Sequence, residues 1–277
     1  MFGEFFLIVL GLLWIVFASV QDLKTREVAN WLSFSLIIFA LGFRFFYSLF
    51  ALNNFWFFYY GLIGLGAFFI LGNLFYYGRI FAGGDAKLMI ALGTILPLSL
   101  NWFSNLKIVS LFFVVFLFAG AIYGFVWAGI LAGRNWKSFK KEFARYLKER
   151  RILFMGVMFF GLLIMFLGFF EGILFFSGAL VFLLPYFYCF AKSVDEVCMI
   201  KKIKPSELRE GDWLYKDVRV GGKVVKQNWE GLETKDIKLL KTKKFVVVRE
   251  GIPFVPVFLI SFLVLIYVKF FTGFSLF

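Results

Sequence analysis

Long apolar segments separated by short polar ones make up most of the chain. Eight of these segments are long enough, or nearly so, to cross a hydrocarbon core, which takes roughly 20 helical residues. They cover residues 5–20, 31–52, 56–77, 86–100, 107–132, 152–169, 172–191 and 252–270. The pattern predicts an all-α polytopic membrane protein of about eight transmembrane helices.

Residues 192–251 follow a different pattern. Turn dipeptides such as Gly211-Asp212 and Gly221-Gly222 alternate there with short β-prone runs such as residues 245–248. The segment also holds ten of the 17 acidic residues. These features predict a small cytoplasmic α+β or β-rich domain.

Together these patterns divide the chain into five parts. They are a membrane core with five helices at 1–132, a basic amphipathic loop at 133–151, a transmembrane hairpin at 152–191, the small domain at 192–251 and a C-terminal transmembrane helix at 252–277.

The basic residues predict how these parts are oriented. If the spans alternate in direction, 27 of the 30 lysines and arginines lie on the side of the 133–151 and 192–251 segments, and only Arg44, Lys107 and Lys269 do not. Cytoplasmic segments carry such an excess. No basic residue precedes the first apolar run, so we expect a retained helix rather than a cleaved signal. The prediction is a multi-pass integral membrane protein with its N- and C-termini outside.

Aromatic residues alternate with basic ones in the 133–151 segment, at near-helical spacing. This arrangement is typical of an amphipathic helix that lies on an anionic leaflet. Nucleic-acid binding is the other use of such a patch, but adjacent membrane spans favour the lipid surface. We therefore expect membrane lipids as a partner and no nucleic acid.

The scarcity of reactive side chains limits the chemistry. The chain has no histidine, two cysteines and no CxxC pair, so we expect no metal site and no cofactor. Outside residues 192–251 there are only two aspartates, Asp22 and Asp85. Each stands at a predicted cytoplasmic boundary of a span, although they are far apart in the sequence.

Two neighbouring carboxyl groups can hydrolyse an amide without histidine, cysteine or metal. Because the charge of one carboxylate disfavours ionisation of the other, the two groups share a proton and titrate as a pair. The ionised member takes a proton from water, while the protonated member polarises the scissile carbonyl and then donates a proton to the leaving nitrogen.

Each of these residues also has a simpler interpretation. Asp85 follows Gly83-Gly84, which would let the backbone approach another segment closely, but Asp85 could instead simply cap the fourth span. Asp22 alone could be a solvated charge beside the membrane. Lys87 could lower the pKa of Asp85 or contact substrate, or it could simply be a basic residue at the inner membrane boundary. Asn30 could hold its loop against the first aspartate or cap the second span.

The run from Ala18 to Trp31, together with the later Gly83-Gly84-Asp85-Ala86-Lys87, resembles the archaeal type IV prepilin and preflagellin (prearchaellin) peptidases. These are membrane aspartic proteases of the Gly-x-Gly-Asp group. The resemblance covers roughly residues 1–130 and 192–270, including the stretch 251–256, and Ala82 departs from the strict motif. It implies that the membrane core is catalytic. The implied site residues are Asp22 and Asp85 as the catalytic pair, with Gly83, Gly84, Lys87 and Asn30 in support.

By this resemblance the expected function is removal of the basic leader peptide from type IV prepilin-like or prearchaellin precursors at the cytoplasmic membrane face. One alternative is a presenilin-like intramembrane protease, which would need its aspartates deeper in the bilayer. The other is a non-enzymatic transporter or assembly scaffold, in which the aspartates would bind a cation or hold helices together.

Overall fold

The structure is a computed structural model that describes residues 2–228 and 231–271. Its helices are α1 (Phe2–Thr25), α2 (Asn30–Tyr47), α3 (Trp56–Tyr77), α4 (Gly83–Leu92), α5 (Trp102–Arg134), α6 (Trp136–Glu149), α7 (Arg151–Leu167), α8 (Gly172–Ser193), α9 (Thr234–Leu240) and α10 (Val255–Phe271). Its strands are β1 (Ile200–Ile203), β2 (Trp213–Leu214), β3 (Val218–Val220), β4 (Lys223–Val225) and β5 (Val246–Arg249). Residues 272–277 of the predicted C-terminal segment lie outside the described residues.

The predicted fold class is confirmed. Among the described residues, five helices are long and apolar enough to cross a membrane, and there are six spans if α6 and α7, which meet at 80°, count as one. Helix α10 is apolar but shorter, with 17 residues. The chain is a polytopic helical membrane protein with a small β-containing domain.

The structure differs from the prediction in the fourth apolar segment, residues 86–100. Its helix, α4, has ten residues and ends at Leu92, and turns follow as far as residue 101. A helix of that length extends only about 15 Å, half of a hydrocarbon core. The chain leaves the helix at Gly93, and the guanidinium of Arg44 binds carbonyl groups of the turns that follow. Irregular backbone is tolerated at membrane depth only when it is shielded and satisfied in this way.

The chain forms two compact units, one of residues 1–124 and 252–277 and the other of residues 125–251. In the first unit, α1 packs against α2 and α10, and α4 packs against α2 and α3. The contact of α3 with α4 depends on small residues. A Cβ on Gly64 would collide with the carbonyl oxygen of Gly93, and a Cβ on Gly72 would lie 2.7 Å from Ile90. Because these positions have no side chains, the backbones of α3 and α4 can approach each other closely.

In the second unit, α7 and α8 form an antiparallel hairpin. It closes through two glycines, because a Cβ on Gly161 would meet Gly178 O at 3.0 Å and a Cβ on Gly178 would meet Gly161 O at 2.8 Å. Part of the apolar face of α6 packs against its own chain, since Phe139 is buried with Val194 and Tyr146 with Phe154, while Trp136 of the same helix is exposed. The lipid contact expected of the 133–151 segment stays a prediction.

The small domain contains a three-stranded antiparallel sheet of order β1-β5-β2 and a separate β3-β4 hairpin. The hairpin turns at Gly221 and Gly222, whose φ values of 51° and 81° favour glycine. Apolar side chains from the strands, from α9 and from the segments between them form its core: Leu208, Leu214, Val220, Val225, Leu232, Leu240, Val246 and Val248.

Candidate active site

Asp22 lies in the last turn of α1 and is 6% exposed. Its Oδ2 accepts a hydrogen bond from the backbone N–H of Val255, at 3.0 Å, at the start of α10. The loop after α1 is tied back to the helix, because Gln21 Oε1 accepts the N–H of Ala29 at 3.1 Å. Thus Asp22 has a defined orientation although it stands at a helix end.

Asp85 is the third residue of α4, in its first turn. The two preceding glycines are not equivalent. A Cβ on Gly84 would lie 3.3 Å from the backbone nitrogen of Val28, whereas a Cβ on Gly83 would meet nothing closer than Tyr76 at 3.8 Å. The expected close approach of the backbone therefore belongs to Gly84, and Gly83 is not required for it.

The structure brings the two aspartate motifs together. Gly84 lies against Val28 in the loop that follows Asp22. Lys87 Nζ donates a hydrogen bond to Asn30 Oδ1 at 2.6 Å, which joins the N-terminal half of α4 to the first residue of α2. The carboxyl groups of Asp22 and Asp85 interact electrostatically. All six residues named by the sequence motifs thus lie on the adjoining ends of α1, α2 and α4.

Both loops that lead to this region contain an arginine with a left-handed backbone. Arg26 has φ 59° and follows α1, and Arg79 has φ 58° and follows α3. For residues other than glycine this conformation costs about 1 kcal/mol or more and is concentrated at functional sites. In addition, the charge of Arg26 acts favourably on the carboxylate of Asp22.

Sequence reasoning missed three groups at this site. Two are the backbone amides of Phe254 and Val255, which act on Asp22 from a separation of more than 230 residues. The third is the phenol of Tyr123 on α5, which interacts electrostatically with Asp22 and Arg26. A backbone amide has no residue signature, and Tyr123 lies within a long apolar run, so only the resemblance of residues 251–256 pointed to this part of the site.

The arrangement supplies two carboxyl groups, a buried backbone hydrogen-bond donor and the nearby cations Arg26 and Lys87. Among the described residues, no group of three or more histidine, cysteine, aspartate or glutamate side chains is placed to hold a metal ion. The chemistry that the site supports is the transfer of protons between two carboxyl groups and a bound water.

Residues 9–129 match the type IV leader peptidase family. This match agrees with the resemblance that the two aspartate motifs carry. The matched segment runs from α1 into α5 and includes Asp22, Asn30, Gly84, Asp85 and Lys87. It does not include the start of α10, which binds Asp22.

The chain is also similar to a preflagellin peptidase of Methanococcus maripaludis. It is 30% identical over 126 residues, which cover 39% of this chain and 54% of that relative. The chain thus spans about half the length of the curated relative that it matches. No solved structure matches the chain.

Proposed function

We propose that this protein is a membrane-embedded aspartic endopeptidase that cleaves the leader peptide from type IV prepilin-like or preflagellin precursors. The observation that carries the proposal is the packing of the Asp22 and Asp85 motifs at adjoining helix ends, where Gly84 lies against Val28 and Lys87 binds Asn30, within the segment that matches the leader peptidase family. The similarity to a preflagellin peptidase supports the choice of substrate.

The proposed reaction uses the pair as base and acid. The charged carboxylate accepts a proton from water, whose oxygen attacks the scissile carbonyl carbon. The other carboxyl group donates its proton to the carbonyl oxygen. Asn30, Lys87 and Gly84 act by holding the two motifs in register. Activity should therefore be bell-shaped with pH, because one member must be charged and the other neutral.

The proposed location of the site is the cytoplasmic membrane face, with both chain termini outside. Precursors of this type join a short basic leader directly to an apolar helix, so the bond to be cut lies at a membrane boundary. Carboxyl groups at helix ends are at the right depth for that bond. Anionic lipids adjoin the basic residues of this face, and no nucleic acid is involved.

Purified protein incubated with a purified prepilin or preflagellin tests the proposal, with cleavage read by mass spectrometry. We expect Asp22→Asn and Asp85→Asn each to lower the cleavage rate by about a thousandfold or more, because neither carboxyl group can act alone. Glu171→Gln, which neutralises an exposed acid in the turn of the α7–α8 hairpin, is the control and should cleave at the wild-type rate.

Full cleavage by both aspartate variants would reject the assignment. Cleavage inside the apolar helix of the precursor, rather than before it, would instead favour the intramembrane protease. No cleavage by the wild-type protein, with cation binding abolished by either aspartate substitution, would favour a transporter.

A further inference from the structure

The N-terminal turn of α10 gives its first backbone donor to Asp22. Helices leave their first N–H groups without partners inside the helix. In α10, Pro256 has no N–H, and Val257 donates to Phe254 O at 3.0 Å. The N–H of Val255 is used by Asp22 Oδ2, at 3.0 Å, in a buried hydrogen bond. Asp22 therefore caps a helix that begins 233 residues later in the chain.

Close packing holds this turn in place. Val255 and Phe258 are fully buried. The ring of Phe254 lies 5.8 Å from that of Phe81, and Phe258 lies 4.7 Å from Phe116. Since Phe81 comes just before the glycines of the Asp85 motif, a single aromatic cluster joins the start of α10 to that motif.

The surroundings of the two aspartates are unequal. Asp22 has the amides of Val255 and Phe254 and the positive charge of Arg26, all of which favour a negative carboxylate. Asp85 has one favourable backbone amide, that of Ala82. The repulsion between the two carboxylates is mutual and disfavours a second charge, so the unequal donors decide which member carries the charge. The phenol of Tyr123 on α5 also interacts electrostatically with Asp22.

We propose that the start of α10 is a positioning element that keeps Asp22 as the charged member of the pair, so that Asp22 is the base and Asp85 the acid. This inference rests on the proposed function and adds an assignment of roles to it. It also gives the C-terminal segment, which lies outside the family match, a direct part in the reaction.

The proton transfers balance over one turnover and restore both carboxyl groups to their starting states. Asp22 takes a proton from water as the water oxygen bonds to the carbonyl carbon, and Asp85 gives its proton to the carbonyl oxygen. In the second step Asp22 gives its proton to the leaving nitrogen, the carbon–nitrogen bond breaks, and a hydroxyl proton of the intermediate returns to Asp85. The enzyme ends with Asp22 charged and Asp85 neutral, as it began.

A backbone ester at position 255 tests the proposal. Incorporation of the α-hydroxy acid analogue of valine by nonsense suppression removes the N–H and keeps the side chain. The matched control is the same ester at position 257, which removes an N–H of the same turn that donates to Phe254 O. Both proteins and the wild type are assayed for kcat/KM on a prepilin or preflagellin across pH, and their melting temperatures are recorded.

We expect the acid limb of the profile to move to higher pH by about one to two units in the 255 ester only, because the carboxylate loses a donor that favours its charge. Loss of activity in the 255 ester supports the same conclusion if its melting temperature equals that of the 257 ester. Coinciding acid limbs in the two esters overturn the inference and leave the proposed function intact. A wild-type protein that cleaves no precursor overturns both.

Discussion

At the scale of single residues, Arg44 links three segments of the first unit. Its side chain is fully buried. Nε donates to Thr94 O at 2.8 Å and Nη1 to Phe57 O at 2.6 Å, while Nη2 donates to the carbonyls of Ile95 and Pro97. The guanidinium also lies 4.5 Å from the ring centre of Phe57. One planar group with five donors thus satisfies the carbonyls that the early end of α4 exposes.

Replacing Arg44 should therefore destabilise the protein strongly. We expect Arg44→Met to lower the free energy of unfolding by roughly 3 kcal/mol or more, since several buried carbonyls lose their donor. Arg44→Lys should recover only part of the loss, because an ammonium cannot reach four carbonyls in a plane. Unfolding in detergent measures the effect, with Lys107→Met as a control that removes an exposed cation. Equal stability of the Met variant and this control would contradict the role of Arg44.

At the scale of elements, the short helix α4 decides where Asp85 stands. Lipid cannot hold a ten-residue helix in place, so its position depends on contacts with α2 and α3. On the α3 side, Gly64 and Gly93 meet without side chains between them, and Gly72 faces Ile90. On the α2 side, the hydrogen bond between Lys87 and Asn30 spans the two helix starts.

Two glycines on α3 give a matched test of this contact. A Cβ on Gly64 would collide with Gly93 O, whereas a Cβ on Gly66 meets nothing within 4 Å. We expect Gly64→Ala to push α4 from α3, to lower the melting temperature and to reduce leader cleavage at least about tenfold, as small misplacements of reacting groups do. Gly66→Ala should leave cleavage unchanged and stability equal or higher. Equal cleavage by both variants would argue against this packing as the support of Asp85.

At the scale of the whole molecule, the charge distribution predicts the orientation in the membrane. The cytoplasmic face is predicted to carry 27 of the 30 basic residues. A cytoplasmic site for Asp22 and Asp85 depends on that orientation, because both stand at the helix ends joined by the predicted cytoplasmic loops. If the chain were inserted the other way, the same carboxyl pair would meet only substrates outside the cell.

Cysteine labelling tests the orientation in a Cys189→Ala, Cys198→Ala background, from which both buried native thiols are removed. The single cysteines are introduced at two exposed positions, Ser138 in α6 and Glu171 in the turn before α8. In intact cells a membrane-impermeant maleimide should label Glu171→Cys and not Ser138→Cys, and permeabilised cells should show both labelled. The opposite pattern in intact cells would reverse the topology and exclude a cytoplasmic site.

The fold class followed from the sequence, but two details did not. Residues 86–100 are apolar enough for a span, yet the helix ends at Leu92 because the carbonyls exposed after it find a donor in Arg44, fifty residues earlier in the chain. Likewise the periodicity of α6 indicated an apolar face correctly, but not what covers it. Phe139 packs against Val194, more than fifty residues later in the chain. Hydropathy identifies an apolar surface but does not identify the surface that packs against it.

The sequence by itself determined the membrane helices, the small β-containing domain and the shortage of reactive groups that singled out Asp22 and Asp85. These features are local, because apolar length and side-chain chemistry are properties of single segments. Only the tertiary structure decided that Gly84 rather than Gly83 makes the close contact, that Lys87 reaches Asn30, and that the amide of Val255 binds Asp22. Such contacts depend on how helices pack, and a backbone amide is the same in every residue except proline.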